Sequence, residues 1–280
     1  MDIFRDRVLL VATRHGKERV LAPILEPGLG VVCEIVPGLD TDRLGTFTGE
    51  VERALPPLEA AREKCRMAMN LTGVDLALAS EGSFGPHPAI PFVPADEEVI
   101  LLLDRRHRLE VAARVCSPHT NYSGARVASE AELEAFAATA AFPSHALILR
   151  PSPAHAEAVI KGITRWEELA QGFRSLTEAY GTVHVETDMR AMYNPTRMQV
   201  IAEAGRKLLQ LCLSACPACG RPGFAVREVR TGLPCADCGT PTRGRLASIL
   251  GCEGCGHRQE ELYPDGIAQE DPGRCDVCNP

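Results

Sequence analysis

The 280-residue sequence has little of several things that usually announce a function. Aromatic residues make up 5%, with one Trp, four Tyr and eight Phe. Only four of the thirty basic residues are lysine, and 37 acids against those 30 bases leave a formal charge of −7. That balance gives no cationic footprint for a phosphate backbone, so nucleic acid is not an expected partner. No apolar run is long enough to cross a bilayer, and no membrane association is expected. The opening MDIFRDRVLLVATRHGKE has acids and a short strand-like run where a secretory signal needs a basic start and a longer apolar stretch, so a cytoplasmic location is expected. There is no Walker loop and no G-x-G-x-x-G, which excludes two common phosphate-binding turns.

Cysteine, by contrast, is abundant. Eight of twelve form four Cys-x-x-Cys pairs within the last 65 positions: Cys216/Cys219, Cys235/Cys238, Cys252/Cys255 and Cys275/Cys278, with 15, 13 and 19 residues between successive pairs. Disulfide scaffolds belong to small secreted chains, whereas a chain of this length with 45% apolar residues builds a core without staples. A Cys-x-x-Cys turn followed by Gly presents two thiolates to one ion, and two such turns complete a tetrahedral site. CPACG, CADCG and CEGCG have that form, and CDVCN nearly so. Four turns make two sites, so two zinc ions are expected, closed off by thiolates and therefore structural. Sequential, nested and interleaved pairings all use every thiolate. Residues 213–280 carry seven Arg, no Lys and nine acids, which favours a protein partner or self-association over a nucleic-acid clamp. Cys33, Cys65, Cys116 and Cys212 read as ordinary buried or boundary residues.

One zinc chemistry has a partial match. Nucleobase deaminases use His-x-Glu followed by Pro-Cys-x-x-Cys, and His184-Val185-Glu186 with Pro234-Cys235-Ala236-Asp237-Cys238 has that outline. Against it, 47 residues separate Glu186 from Pro234, and Cys235 and Cys238 sit among three other pairs that need partners. The deaminase is a remote alternative.

Residues 1–212 alternate β-rich runs with helical stretches, the pattern of an α/β domain with a mixed sheet flanked by helices. After Leu213 the periodicity stops, so residues 213–280 are read as a small zinc-ribbon-like domain that folds by closing its loops around metal. Strands are predicted at Val8–Thr13, Gly30–Val36, Asp75–Ser80, Val99–Leu103, Leu109–Val115, Ala146–Arg150 and Thr182–Thr187. Helices are predicted at Leu55–Leu71, Ser129–Ala141, Ala154–Lys161, Ile163–Tyr180 and Thr196–Cys212. In the first of these, Leu58, Ala61, Cys65, Ala68 and Met69 recur at three- and four-residue steps, which gives one buried face.

Three polar clusters follow predicted strands. Thr13-Arg14-His15-Gly16-Lys17-Glu18 delivers small and cationic groups to a strand end at the start of a helix, where phosphate can be held. Ala79-Ser80-Glu81-Gly82-Ser83-Phe84-Gly85 sets one carboxylate in a Gly-rich turn, suited to magnesium beside phosphates. The Glu186–Arg197 block brings Asp188, Arg190 and Arg197 to another strand end, with Asn194 or Thr196 as a helix cap. Catalysis is assigned to Glu81, Lys17 and Asp188, and substrate binding to Thr13, Arg14, His15, Ser83, Arg190, Asn194 and Arg197. The alternative is that these residues are solvated loops, caps and ion pairs. His145, in Phe142-Pro143-Ser144-His145, reads as a hydrogen-bonded loop residue.

The order of these motifs resembles the inosine/xanthosine triphosphate pyrophosphatase superfamily, which includes the Maf-like proteins. Over residues 6–115, Thr13-Arg14-His15-Gly16-Lys17 corresponds to a Thr-Asn-Pro-x-Lys loop, Ala60-Ala61-Arg62-Glu63-Lys64-Cys65 to a Gly-Ala-x-x-Arg-Ala helix, and Glu81-Gly82-Ser83 to Glu-Gly-Gly. Arg14 replaces the Asn of the loop, and a glutamate-rich segment is represented only by Glu50 and Glu52. The resemblance implies that Glu81 binds magnesium or activates water and that Lys17 contacts a triphosphate. It also implies that Arg197, ahead of Arg206-Lys207, stands for a late Ser-His-Arg motif. Separately, the Phe-Pro-Ser-His turn, the ETDMRAMYNPTRM block and the four cysteine turns together are similar to a bacterial family classed as a domain of unknown function. Two functions are consistent with these features: a magnesium-dependent nucleoside-triphosphate (pyro)phosphohydrolase with a zinc tail, or a non-catalytic zinc-ribbon adaptor for a protein or small ligand.

Overall fold

The computed structural model describes residues 3–13, 15–39, 55–154 and 158–280. The chain divides into two units, Phe4–Leu209 and Gln210–Pro280, with Ile3 counted in the latter. In the first unit, β1 (Val8–Ala12), β2 (Val32–Ile35), β3 (Leu76–His87), β4 (Ile90–Asp104) and β5 (Leu109–Ser117) form a mixed sheet in the order β2-β1-β3-β4-β5. β1 runs parallel to β2 and β3, while β3, β4 and β5 form an antiparallel meander. Helix α1 (Glu18–Leu29) connects β1 to β2, and α2 (Pro57–Thr72) leads into β3. The chain leaves β1 towards one side of the sheet and returns to the other, so right-handed crossovers set the two helices on opposite faces.

Side-chain alternation sorts the two faces. Leu10 and Ala12 of β1 and Ala77 and Ala79 of β3 share a core with Ala61, Cys65, Ala68 and Met69 of α2. The small residues on both partners let the helix lie close to the strands. Helix α1 buries Leu21, Leu25 and Leu29 and lies against α5 (Pro195–Leu213), where Gly28 abuts Leu209 and Gly205 abuts Leu21.

A second sheet holds β6 (Gly124–Val127), β9 (Val183–Thr187), β7 (Leu147–Arg150) and β8 (Ile160–Ile163) in that order, all antiparallel. Helices α3 (Glu130–Thr139) and α4 (Trp166–Tyr180) cover one face, with Leu133, Leu169, Phe173 and Leu176 against Leu147, Leu149, Val183 and Val185.

Two predicted elements differ. The helix expected at Ala154–Lys161 is not formed over its described part: Ile160 begins β8 and pairs with Leu149, and residues 155–157 lie outside the described residues. Its β-branched Val159 and Ile160 suit a strand, and a neighbouring edge supplies the partner that local helical pattern lacks. The segment Ala79–Gly85 is strand and not turn, because β3 continues to His87 and stays paired to β4 through Pro86 opposite Pro94 and, after a register shift, His87 opposite Ile90.

The second unit contains β10 (Ala225–Thr231), β11 (Arg245–Gly251) and β12 (Arg258–Leu262), an antiparallel sheet in sequence order. Its apolar interior is small, centred on Cys216, Phe224 and Cys252 with Leu250 against them. Among the described residues, no helix is long and apolar enough to cross a membrane.

Candidate functional site

The three-stranded sheet decides how the cysteine pairs combine. The first pair precedes β10 and the third follows β11, and Ala225 pairs with Gly251, so these turns share one end of the sheet. Thr231 pairs with Arg245 and Ala247 with Leu262, which brings the second and fourth turns to the other end. The pairing is therefore interleaved. Cys216, Cys219, Cys252 and Cys255 form one group and Cys235, Cys238, Cys275 and Cys278 the other, with the sulfurs of each group within 4.8 Å of one another.

Sulfur–sulfur separations are 3.7 Å for Cys216–Cys255, Cys219–Cys252 and Cys238–Cys275, and 3.8 Å for Cys235–Cys278. A tetrahedron with metal–sulfur bonds of about 2.3 Å has edges of about 3.8 Å, so each group is shaped for one tetrahedral ion. The turns close alike: the amides of Gly220, Gly239, Gly256 and Asn279 donate to the carbonyls of Cys216, Cys235, Cys252 and Cys275 at 2.8–3.0 Å. Gly220 and Gly256 at φ +73° and Gly239 at φ +69° occupy the left-handed region that glycine adopts without strain. Cys235 and Cys238 are committed to Cys275 and Cys278, which removes them from the deaminase pattern with His184 and Glu186.

The first unit has a different kind of site. Pairing of β1 with β3 ends at Ala12 opposite Ala79, after which the chain turns away into α1 while β3 continues. This is a switch point of the sheet, the kind of place at which open α/β sheets bind ligands. Thr13 shapes the turn by accepting the His15 amide on Oγ1 at 3.3 Å; Arg14 lies outside the described residues. Lys17 is 4% exposed, and its Nζ donates to Ser80 Oγ at 2.9 Å and to the Ser80 carbonyl at 3.2 Å. Burial lowers its pKa to about 8, against the opposing attraction of Glu98.

Beyond Ser80, alternation along β3 separates two sets of groups. Gly82 and Phe84 pair with Glu98 and Asp96 of β4 and share their face. Glu81 lies on the other face, where Lys64 of α2 forms an ion pair with it, and half-buried Ser83 is opposite Glu97 on that side. Asp96 and Glu98 are fully buried. Glu98 Oε1 accepts from Arg197 Nε at 2.6 Å. Arg197 comes from the first turn of α5, also donates to the Met189 carbonyl, and stands 5.1 Å from the centre of the Phe84 ring. Phe84 stacks on Tyr122 at 5.6 Å. A Cβ at Gly82 would overlap Glu98 Oε1 and Arg197 Nη2, so only glycine leaves room for this ion pair. Among the described residues, neither oxygen of Asp96 and not Oε2 of Glu98 has a hydrogen-bond partner. Burial, reinforced by the charge of Glu98, pushes the Asp96 carboxyl up to about 7.

The third cluster closes on itself. Both oxygens of buried Asp188 accept hydrogen bonds, from Arg190 Nε, Nη2 and amide and from the Gly162 amide, at 2.6–3.2 Å. Arg190 also lies 4.6 Å over the Tyr193 ring. Asn194 caps α5: its Oδ1 accepts the Arg197 amide at 2.9 Å, and its Nδ2 donates to Asn121 at 2.8 Å. His145 Nε2 accepts the Thr196 amide at 3.2 Å, and Nδ1 lies 3.0 Å from Ser144 Oγ. Burial lowers the His145 pKa.

Thus Lys17 and Arg197 meet at one acidic pair, Glu81 belongs to the opposite face of β3 but still attracts the charge of Lys17, and Asp188, Arg190 and Asn194 hold the start of α5. Asp96 and Glu98 were missed from the sequence. Their signal is that they fall in register with Ile100 and Leu102 on the buried face of β4, an unusual place for carboxylates.

None of the curated proteins matches the chain. A family model does: a domain of unknown function, DUF6671, over residues 64–280. The match contains Glu81, Asp96, Glu98, Arg197 and all eight paired cysteines, and it lends no support to the Maf-like resemblance of residues 6–115. Covering well over half of the sequence, it shows that the chain belongs to the DUF6671 family.

Proposed function

We propose that this protein is a zinc-stabilised, magnesium-dependent phosphohydrolase acting on a nucleoside triphosphate. The observation that carries the reading is the pair of buried cations, Lys17 and Arg197, held beside the acidic pair at the switch point of the sheet. Zinc is the metal we assign to the cysteine groups, because four thiolates at these separations suit a closed tetrahedral site.

In the cleft, Lys17 binds the phosphate chain and stabilises charge on the oxygens of the phosphoryl group being attacked. The bond formed joins a water oxygen to phosphorus, and the bond broken is the phosphorus–oxygen bond to the leaving group, which departs with the electron pair. Glu81, paired with Lys64, is the carboxylate to which we assign the proton of the water. Bound magnesium would offset the negative charge of the phosphates. The stacked pair of Phe84 and exposed Tyr122 supports a substrate with a flat aromatic base.

Calorimetric titration of the zinc-loaded protein with nucleoside triphosphates and the matching nucleosides, both with magnesium, tests this. The triphosphate should bind and Lys17→Met should weaken it at least tenfold, whereas Glu81→Gln should leave binding intact and lower turnover. Equal binding of nucleoside and triphosphate would remove the phosphate-handling role.

A second reading, in which the tail docks a protein partner or a second copy, is favoured by exposed apolar side chains on β10 and β12. Val226, Val229 and Leu262 are each about half exposed. A single species at monomer mass across micromolar concentrations, with no partner recovered, would argue against it.

A further inference from the structure

Asp96 and Glu98 are two residues apart on β4 and share one face of it. Both are fully buried, yet three of their four carboxylate oxygens lack hydrogen-bond partners among the described residues. Buried polar groups in folded proteins are nearly always satisfied, so three orphan oxygens in one place call for an explanation. The neighbouring cations attract the charge of Asp96 but make no hydrogen bond to these three oxygens. Arg197 directs its Nε to Glu98 Oε1, and Lys17 directs its hydrogen bonds to Ser80. Helix α5 and the Gly82 backbone hold the Arg197–Glu98 pair in place, which leaves Glu98 Oε2 and the whole Asp96 carboxylate facing the same interior.

The donors are all oxygen and all anionic, the ligand set of a hard divalent cation and not of zinc or copper. Two carboxylates are too few to enclose calcium. They suit magnesium or manganese, which are held by one or two carboxylates and complete an octahedron with water and substrate phosphates. We propose that Asp96 and Glu98 form a divalent-cation site of the magnesium class, separate from Glu81 and from the cysteine groups, next to the cleft cations Lys17 and Arg197. Three open oxygens at the switch point are then the protein's share of a coordination sphere that phosphate and water complete.

This inference rests on the cleft described above and not on turnover. The test uses the zinc-loaded full chain without nucleotide, titrated with manganese and followed by loss of the free-ion electron paramagnetic resonance signal. One manganese per chain should bind beyond the two zincs, with magnesium competing for it. Asp96→Asn and Glu98→Gln should each weaken binding at least tenfold while zinc content and circular dichroism stay unchanged. Glu81→Gln should bind as the parent does. In the parent protein, manganese should broaden the Gly82 and Phe84 amide resonances most, a readout that needs no variant. No binding at millimolar manganese, binding unaffected by Asp96→Asn, or broadening centred on Glu81 would overturn the assignment. Manganese bound at Asp96 with no hydrolysis of any nucleotide would keep this site and remove the phosphohydrolase reading; hydrolysis surviving in Asp96→Asn without manganese bound would do the reverse.

Discussion

The cysteine unit and the cleft unit gather their polar groups in opposite ways. In Gln210–Pro280, eight thiolates arrive as four local turns around a small apolar interior, and the sheet serves to bring alternate turns together. In Phe4–Leu209, two large cores stand without the cleft, and the cleft collects Lys17, Ser80, Asp96, Glu98 and Arg197 from four separate segments. The difference teaches where each site's energy sits. The two cysteine groups could each hold a metal ion, and on our reading its binding would supply the folding energy of the first, whereas in the second the buried charges are set against folding and persist because the surrounding core holds them.

Removing metal should therefore have the largest effect and should be confined to one side of the comparison. A structural zinc site contributes about 10–16 kcal/mol in small metal-folded domains. Chelation, or Cys235→Ser, should abolish amide protection across β10–β12 while β1, β3 and β4 stay protected, as measured by hydrogen exchange. Equal loss in both units would erase the distinction.

Breaking one partner of the buried ion pair should come next. Arg197→Met leaves Glu98 buried without its cation, a defect worth about 3–5 kcal/mol. Urea unfolding should show the loss, with two zincs per chain retained.

The opposite sign is expected one residue pair away. A carboxyl whose pKa is higher folded than unfolded contributes stability that is lost as pH rises, here from about 4, the ordinary Asp value, to about 7. Asp96→Asn removes that slope, so in metal-free buffer it should stabilise the first unit at pH 8, with the gain over the parent shrinking as pH falls towards 4. Destabilisation by Asp96→Asn at pH 8 would mean that the carboxylate is satisfied in the fold.

The smallest effect belongs to His145. Its Nε2 must be neutral to accept the Thr196 amide, and burial holds its pKa below the ordinary value. Its contribution is present above about pH 6.5 and lost as pH falls through the lowered folded value. An NMR titration should place His145 below the ordinary histidine value, and His145→Ala should flatten the acid limb of stability; titration at or above 6.5 would contradict the assigned tautomer.

The two units also differ in how much of them could be read from the sequence. Cys-x-x-Cys spacing is a local signal that survives without knowledge of the fold, so all eight ligands were legible, but the interleaved pairing was not, because it depends on antiparallel strand order. The α/β class and most strands of the first unit were legible from periodicity. The cleft was less so. Glu81 and Asp188 stand out as carboxylates at strand ends, yet Lys64 and Arg190 pair with them, partners that only tertiary packing reveals. Asp96 and Glu98 sit in a run of three acids, Asp96-Glu97-Glu98, which reads as a solvated edge until β4 is seen to extend back to Ile90 and bury alternate members.

The most direct test of the central claim is a side-by-side assay of magnesium-dependent phosphate and pyrophosphate release from a nucleoside-triphosphate panel by the parent protein and Lys17→Met, with zinc counted in both. The account predicts release by the parent, at least a hundredfold slower release by the variant, and two zincs in each. No release by the parent at millimolar nucleotide, or full activity in Lys17→Met, would contradict it.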